Sequence, residues 1–146
     1  VMQGYYKNQE ATDAVFDDGW MNTGDICTVD DDGFLYIRGR DKNMILGPSG
    51  QNIYPEEIEM QLNAMPYVSE SLIVERDGKL VALVYPDIEN AKRQHLSDKE
   101  VADIMHQNIA SLNPTLPSYS QIADCKIMTE EFEKTPKRSI KRYLYK

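Results

Sequence analysis

Gly39-Arg40-Asp41-Lys42-Asn43-Met44-Ile45-Leu46-Gly47-Pro48-Ser49-Gly50-Gln51-Asn52-Ile53-Tyr54-Pro55-Glu56-Glu57-Ile58-Glu59 is the stretch on which the fold turns. Met44–Leu46 and Gln51–Tyr54 flank Gly47-Pro48-Ser49-Gly50, which predicts a hairpin with a glycine-bearing tip. A helix should follow at once. Pro55 suits a first turn, where its missing N–H would have no partner anyway, and Glu56, Glu57 and Glu59 favour the positive N-terminal end. Ile58, Leu62 and Met65 form an apolar stripe, and Pro66 ends it. Just ahead of the hairpin, Arg40 and Asp41 put two charges where a chain can pivot.

Downstream, Leu72–Val74 and Leu80–Tyr85 read as strands joined at Asp77-Gly78. The second is apolar without alternation, which predicts a central strand covered on both faces. Ser97-Asp98-Lys99-Glu100 is a capping box, and Val101, Ile104, Met105, Ile109 and Leu112 follow at helical spacing until Asn113-Pro114. Leu116-Pro117-Ser118-Tyr119 then leads to a strand at Cys125–Met128 and a basic tail. Upstream, Ile26–Val29 and Phe34–Arg38 surround Asp30-Asp31-Asp32-Gly33 and predict another hairpin. Its aspartates read as a solvated turn, since an EF-hand loop would need an aspartate where Thr28 stands and a glutamate downstream. The sum is an α+β fold, a small mainly antiparallel sheet with packed helices.

A chain of 146 residues holds one small domain, or a domain with a piece of its neighbour, and falls short of a multi-step enzyme. A net charge of -8 and a pI near 4.7 argue against general nucleic-acid binding. The charge is uneven. Lys134–Lys146 holds six of the 16 basic residues and no acid, which leaves the upstream part at -14. Cys27 and Cys125 match no metal-ligand or redox spacing and read as reduced thiols of a cytoplasmic protein. No apolar run approaches the roughly eighteen residues that span a bilayer, which leaves peripheral membrane attachment open. Val1–Asn8 carries neither a leader nor a cap and reads as the middle of a longer chain.

Some residues can carry chemistry. Asp25, after Thr23-Gly24 and near Trp20, offers a carboxylate that can accept from both hydroxyls of a ribose; as Thr-Gly-Asp it also reads as an ordinary turn. Arg40 is a forked donor suited to ribose or phosphate oxygens, or else to a surface ion pair. Gly50 allows close backbone approach to a ligand, or merely serves the hairpin tip. In Glu133-Lys134-Thr135-Pro136-Lys137-Arg138-Ser139-Ile140-Lys141-Arg142, ammonium groups on a mobile segment can neutralise phosphoryl charge, or form a solvated terminus. His95 and His106 have no nucleophile or metal partner at a recognised spacing.

The order of these pieces is more specific than any one of them. Gly4-Tyr5-Tyr6, Gly19-Trp20, Thr23-Gly24-Asp25, Gly39-Arg40-Asp41, Gly50–Glu59, Lys134-Thr135 and Ile140-Lys141-Arg142 together resemble the adenylate-forming superfamily of acyl-CoA synthetases, peptide-synthetase adenylation domains and luciferases. Gly47–Glu59 and Leu116–Tyr119 are most similar to long-chain fatty-acid–CoA ligases. The resemblance implies a mobile C-terminal lid domain over 41–146, preceded over 1–40 by a β-rich remnant of a large N-terminal domain. It implies ATP and CoA as substrates with a fatty acid, and Mg2+ bound in the absent N-terminal domain. It implies adenylation of a carboxylate followed by thioester formation, with the fragment inactive alone. Asp25 then matches the ribose carboxylate, Arg40 the arginine beside it, Asp41 the hinge, and Gly50 the loop facing the pantetheine channel.

The tail departs from that pattern. The lysine that assists adenylation in the family would stand at Ser139, and a hydroxyl cannot supply its charge; Lys137 and Lys141, two residues to either side, are the substitutes. Leu46, where many members carry lysine, is a lesser departure. Two alternatives follow: an adenylation domain with a carrier-protein acceptor, and a non-catalytic binding module that has lost the tail lysine.

Overall fold

The computed structural model describes residues 2–145; Lys146, the last of the tail cations, lies outside the described residues. The chain divides into two compact units, Val1–Lys42 and Asn43–Lys146.

The first unit opens with helix α1 (Gln9–Asp13), whose first turn is capped by the Asn8 side chain accepting the Ala11 N–H at 2.9 Å. Strands β1 (Phe16–Asp17) and β2 (Trp20–Met21) form a short antiparallel ribbon. Strands β3 (Asp25–Val29) and β4 (Leu35–Arg40) form the hairpin expected around the aspartates. Asp30 spends its carboxylate on this turn, accepting the N–H groups of Asp32 at 3.1 Å and Phe34 at 2.8 Å and the Tyr36 hydroxyl at 2.9 Å. These bonds, that from Phe34 foremost, hold its carboxyl below the usual range. A 3-10 turn, Asp41–Asn43, follows β4.

In the second unit, β5 (Ile45–Leu46) pairs with β6 (Asn52–Ile53) around the Gly47–Gly50 turn, and helix α2 (Pro55–Asn63) begins on Pro55 as expected. The main sheet has the order β7 (Val68–Arg76), β8 (Lys79–Pro86), β9 (Ile122–Ile127). Asp77 and Gly78 turn β7 into β8 with φ of 51° and 73°, a pair of left-handed residues whose twist suits a tight hairpin. Strand β9 lies parallel to β8, the single parallel pairing among the described strands. A parallel neighbour needs a long crossover, supplied here by helix α3 (Ile88–Arg93) and helix α4 (Asp98–Leu112). The capping box at Ser97 and Glu100 is formed in both directions. Helix α3 was not evident in the sequence; it is short and starts on an Asp87 cap.

Strand β8 is covered on both faces, as its apolar run predicted. Leu80, Ala82 and Val84 face a core with Ile73, Ile58 and Leu62 of α2, and Met105, Ile109 and Leu112 of α4. Val81 and Leu83 face the other way, with Leu72, Val74 and Phe132, against which Ile140 and Tyr145 of the tail pack. Phe132 and Tyr145 meet edge to face, with ring centroids 5.1 Å apart. Each large aliphatic side chain buried this way contributes about 1.5–3 kcal/mol. The tail expected to be a mobile segment is therefore laid across the second face of the sheet, because that face would otherwise expose Leu72, Val74, Val81 and Leu83 to water.

Candidate functional site

Asp25 begins β3 and Arg40 ends β4, and the hairpin register sets them directly opposite each other. The Arg40 guanidinium lies 2.9 Å from the Asp25 carboxylate and donates from the same nitrogen to the Thr23 carbonyl at 2.6 Å. The approach is fixed locally. Gly24 N–H donates to the Asn22 side chain at 2.8 Å, and Asp41 N–H donates to the Gly24 carbonyl at 3.0 Å. With side chains 56% and 36% exposed, this pair contributes little to stability and stays available to solvent or ligand. Asp41 is exposed in the 3-10 turn, one residue before the last residue of the first unit.

In the second unit, Gly50 has φ of +82° and its N–H closes the turn on the Gly47 carbonyl at 2.9 Å. Its glycine is required by its own backbone, while a Cβ there would meet open space. Beside this turn lies a recess of about 580 Å³, lined among others by Leu46, Pro48, Gln51, Lys79 and Tyr119. Gln51 Oε1 is buried there without a hydrogen-bond partner among the described residues.

The tail is a small hairpin. Lys134 and Ile140 form a bridge, Thr135 N–H donates to the Ser139 carbonyl at 2.8 Å, and Arg138 N–H donates to the Thr135 carbonyl at 2.8 Å. Ser139 sits in this turn, its N–H directed to Thr135 Oγ1 at 3.3 Å. Lys134 pairs with Glu70 at 2.7 Å, and Lys141 with Glu133 at 3.1 Å. Hydrogen bonding to Glu70 and to Glu133, respectively, raises the pKa of these two ammonium groups. Lys137 stands exposed on the turn.

Arg142, at the base of the hairpin, holds a buried ion pair that its place in the sequence does not signal. It bonds to the buried Glu59 of α2 and donates to the Ile73 carbonyl at 3.3 Å, while Glu59 accepts the Ile73 N–H at 2.7 Å. Glu56 lies 3.9 Å from Arg142 and accepts from the Asn43 side chain at 2.6 Å. Burial pushes the Glu59 carboxyl up from 4.5, opposed by Arg142 and the Ile73 N–H. One sequence signal was present: Pro55, Ile58, Glu59 and Leu62 form the buried face of α2, so a glutamate occupies a core position of the apolar stripe. Its partner, 83 residues away, had no signal of that kind.

Among the described residues no group of three or more His, Cys, Asp or Glu could hold a metal ion, and no helix is long and apolar enough to cross a membrane.

Residues 42–145 match the family model for the AMP-binding enzyme C-terminal domain. The long-chain-fatty-acid–CoA ligase FadD15 of Mycobacterium tuberculosis is 46% identical over 74 residues, 51% of this chain and 12% of that protein. A 2-succinylbenzoate–CoA ligase of Bacillus licheniformis is 38% identical over 111 residues, 76% of this chain and 23% of that protein. Among solved structures, the o-succinylbenzoate CoA synthetase of Bacillus subtilis in complex with its acyl-adenylate intermediate superposes with a TM-score of 0.73 at 27% identity, covering all of this chain and 28% of that one. The adenylation domain of a carboxylate reductase from Mycobacterium chelonae shares the fold, with a TM-score of 0.84 at 24% identity over 98% of this chain and 24% of that one. The chain thus spans between 12% and 28% of the length of these proteins. On the family match and these ligase relatives, the chain belongs to the adenylate-forming AMP-binding enzymes and carries their C-terminal domain.

Proposed function

We propose that this chain is the C-terminal part of an ATP-dependent long-chain fatty-acid–CoA ligase, inactive without a large N-terminal domain. In the first step a fatty-acid carboxylate oxygen attacks the α-phosphorus of ATP; the bond to the bridging oxygen breaks and pyrophosphate leaves with the electron pair. In the second, the CoA thiol loses its proton, its sulfur attacks the acyl carbon, and AMP departs. Asp25 would accept the ribose hydroxyls, with Arg40 beside it orienting the carboxylate and reaching a ribose or phosphate oxygen. Asp41 would absorb the backbone rotation between steps, and Gly50 would let its loop approach the pantetheine arm. Mg2+ belongs, on this reading, to the absent N-terminal domain, where it would neutralise phosphate charge.

The observation that carries the proposal is the Asp25–Arg40 ion pair, standing immediately ahead of a boundary between two compact units. The recess beside the Gly50 turn supports the CoA assignment. Of the two substitute lysines, Lys137 is favoured, because Glu133 already holds the Lys141 ammonium. The 2-succinylbenzoate relative supports a second reading, the same two steps on a different acid. A cytoplasmic enzyme that meets its fatty acid near a membrane surface completes the proposal. The full-length protein should form acyl-CoA, AMP and pyrophosphate from palmitate, ATP and CoA. Activity on succinylbenzoate alone would favour the second reading, and no acyl-CoA from any carboxylic acid would reject both.

A further inference from the structure

The structure sorts the described tail cations by partner. Lys134, Lys141 and Arg142 are bound by Glu70, Glu133 and Glu59, respectively. The Lys137 and Arg138 side chains have no partner among the described residues and stand exposed at the tip.

Arg138 is also strained. Thr135-Pro136-Lys137-Arg138 is a β-turn with proline at its second position, closed by the N–H of Arg138, its fourth residue, which has φ of +62°. That left-handed position of a hairpin loop is one that glycine occupies freely and that a Cβ disfavours. Strain of this kind persists where something else is gained, and among the described residues neither packing nor an ion pair compensates for it. A glycine would adopt this conformation without strain, and what Arg138 adds over it is a guanidinium at the exposed tip.

We propose that Arg138, with Lys137 beside it, contacts the phosphoryl oxygens of ATP during adenylation and supplies the charge that Ser139 lacks. The inference rests on the adenylate-forming reading above. Neither side chain forms a covalent bond: the two cations hold the negative charge that accumulates on the α- and β-phosphoryl oxygens as pyrophosphate leaves. Arg138 suits this role because its fork is permanently charged and binds phosphate oxygens in pairs. The base of the hairpin, tied down through Arg142, Glu59 and Ile73, gives the tip a fixed support. Thioester formation releases AMP rather than pyrophosphate, so the pair acts on the first step.

The test uses the full-length enzyme with palmitate, comparing wild type with Arg138→Gly, Arg138→Lys and Lys137→Ala. Arg138→Gly should keep or raise the melting temperature, because it relieves the left-handed strain, yet slow ATP–pyrophosphate exchange by about 10²-fold. Arg138→Lys should recover part of that rate. Transfer of a preformed acyl-adenylate to CoA should stay within about twofold in every variant, which a merely structural role for Arg138 would not produce. An active wild type whose Arg138→Gly variant exchanges at the parental rate would overturn the proposal. A separate measurement, independent of acyl transfer, is NMR titration of the 146-residue chain with inorganic pyrophosphate. Salt-sensitive shifts confined to 135–139 and lost in Arg138→Gly support the anion-binding tip, and their absence overturns it. A wild type without palmitate-dependent exchange but with those shifts would reject the long-chain reading while leaving the anion site standing.

Discussion

Hairpins β3–β4 and β7–β8 are both antiparallel, both rich in β-branched residues and both turned through aspartate, yet they end in opposite surroundings. Val29, Leu35 and Ile37 are 63%, 60% and 69% exposed, whereas Leu72, Ile73 and Leu83 are at most 1% exposed. Strand formation needs only the local pattern, while burial needs partners. The second hairpin has two helices on one face and the tail on the other. The first has none within its own compact unit, as the proposed remnant of a larger domain would.

The comparison breaks most readily at the ion pair that fastens the tail to the buried hairpin. Arg142→Ala should cost about 3–5 kcal/mol in urea denaturation at pH 7, because it strands the Glu59 carboxylate with side chains that are only 16% and 11% exposed. The pH dependence has a definite sign. Glu59's folded pKa is raised above 4.5, so its contribution is present below that value and declines as pH rises through the folded value; the variant's deficit should shrink near pH 4. A deficit below 1 kcal/mol at pH 7 would mean that the pair behaves like a surface bridge.

Matched truncations address the hairpins directly. Leu83→Ala should lose about 2–5 kcal/mol, and Leu35→Ala no more than about 0.5 in the 146-residue chain. Equal losses would erase the distinction. The cysteines offer a chemical version: Cys27 is exposed on β3, while burial, with some help from Asp124, pushes the half-buried Cys125 thiol of β9 up to about 11. Iodoacetamide at pH 8 should therefore modify Cys27 at least about tenfold faster, as mass spectrometry of the peptides would reveal. Smallest is the cap: Ser97→Ala should cost about 1 kcal/mol, confined to α4 in hydrogen exchange.

Much of the second unit was legible because its signals are local. Pro55 begins α2, Ser97 and Glu100 box the start of α4, Asp77-Gly78 turns β7 into β8, and the unbroken apolar run of β8 marks a strand covered twice. What escaped depended on distant residues meeting. Strand β9 begins three residues earlier than its apolar pattern suggested and lies parallel to β8, a pairing that the long α3–α4 crossover permits and that its own side chains do not signal. The spacing of Pro55, Ile58, Glu59 and Leu62 puts Glu59 on the buried side of α2, but its pairing with Arg142 depends on a residue 83 positions away.

The candidate site divides the same way. Asp25, Arg40, Asp41, Gly50 and the tail could be listed from residue order alone, because a resemblance of motifs in sequence needs no coordinates. Which tail cations are occupied, and that Arg138 holds a glycine's conformation, could not, since ion pairing and φ follow from where Glu70, Glu133 and Glu59 come to lie. The sequence by itself determined the elements, the charge pattern and the family resemblance, all of which are encoded over a few neighbouring residues. Only the tertiary structure decided which charges are paired, buried or left at the tip, because electrostatic partners are set by distances in space.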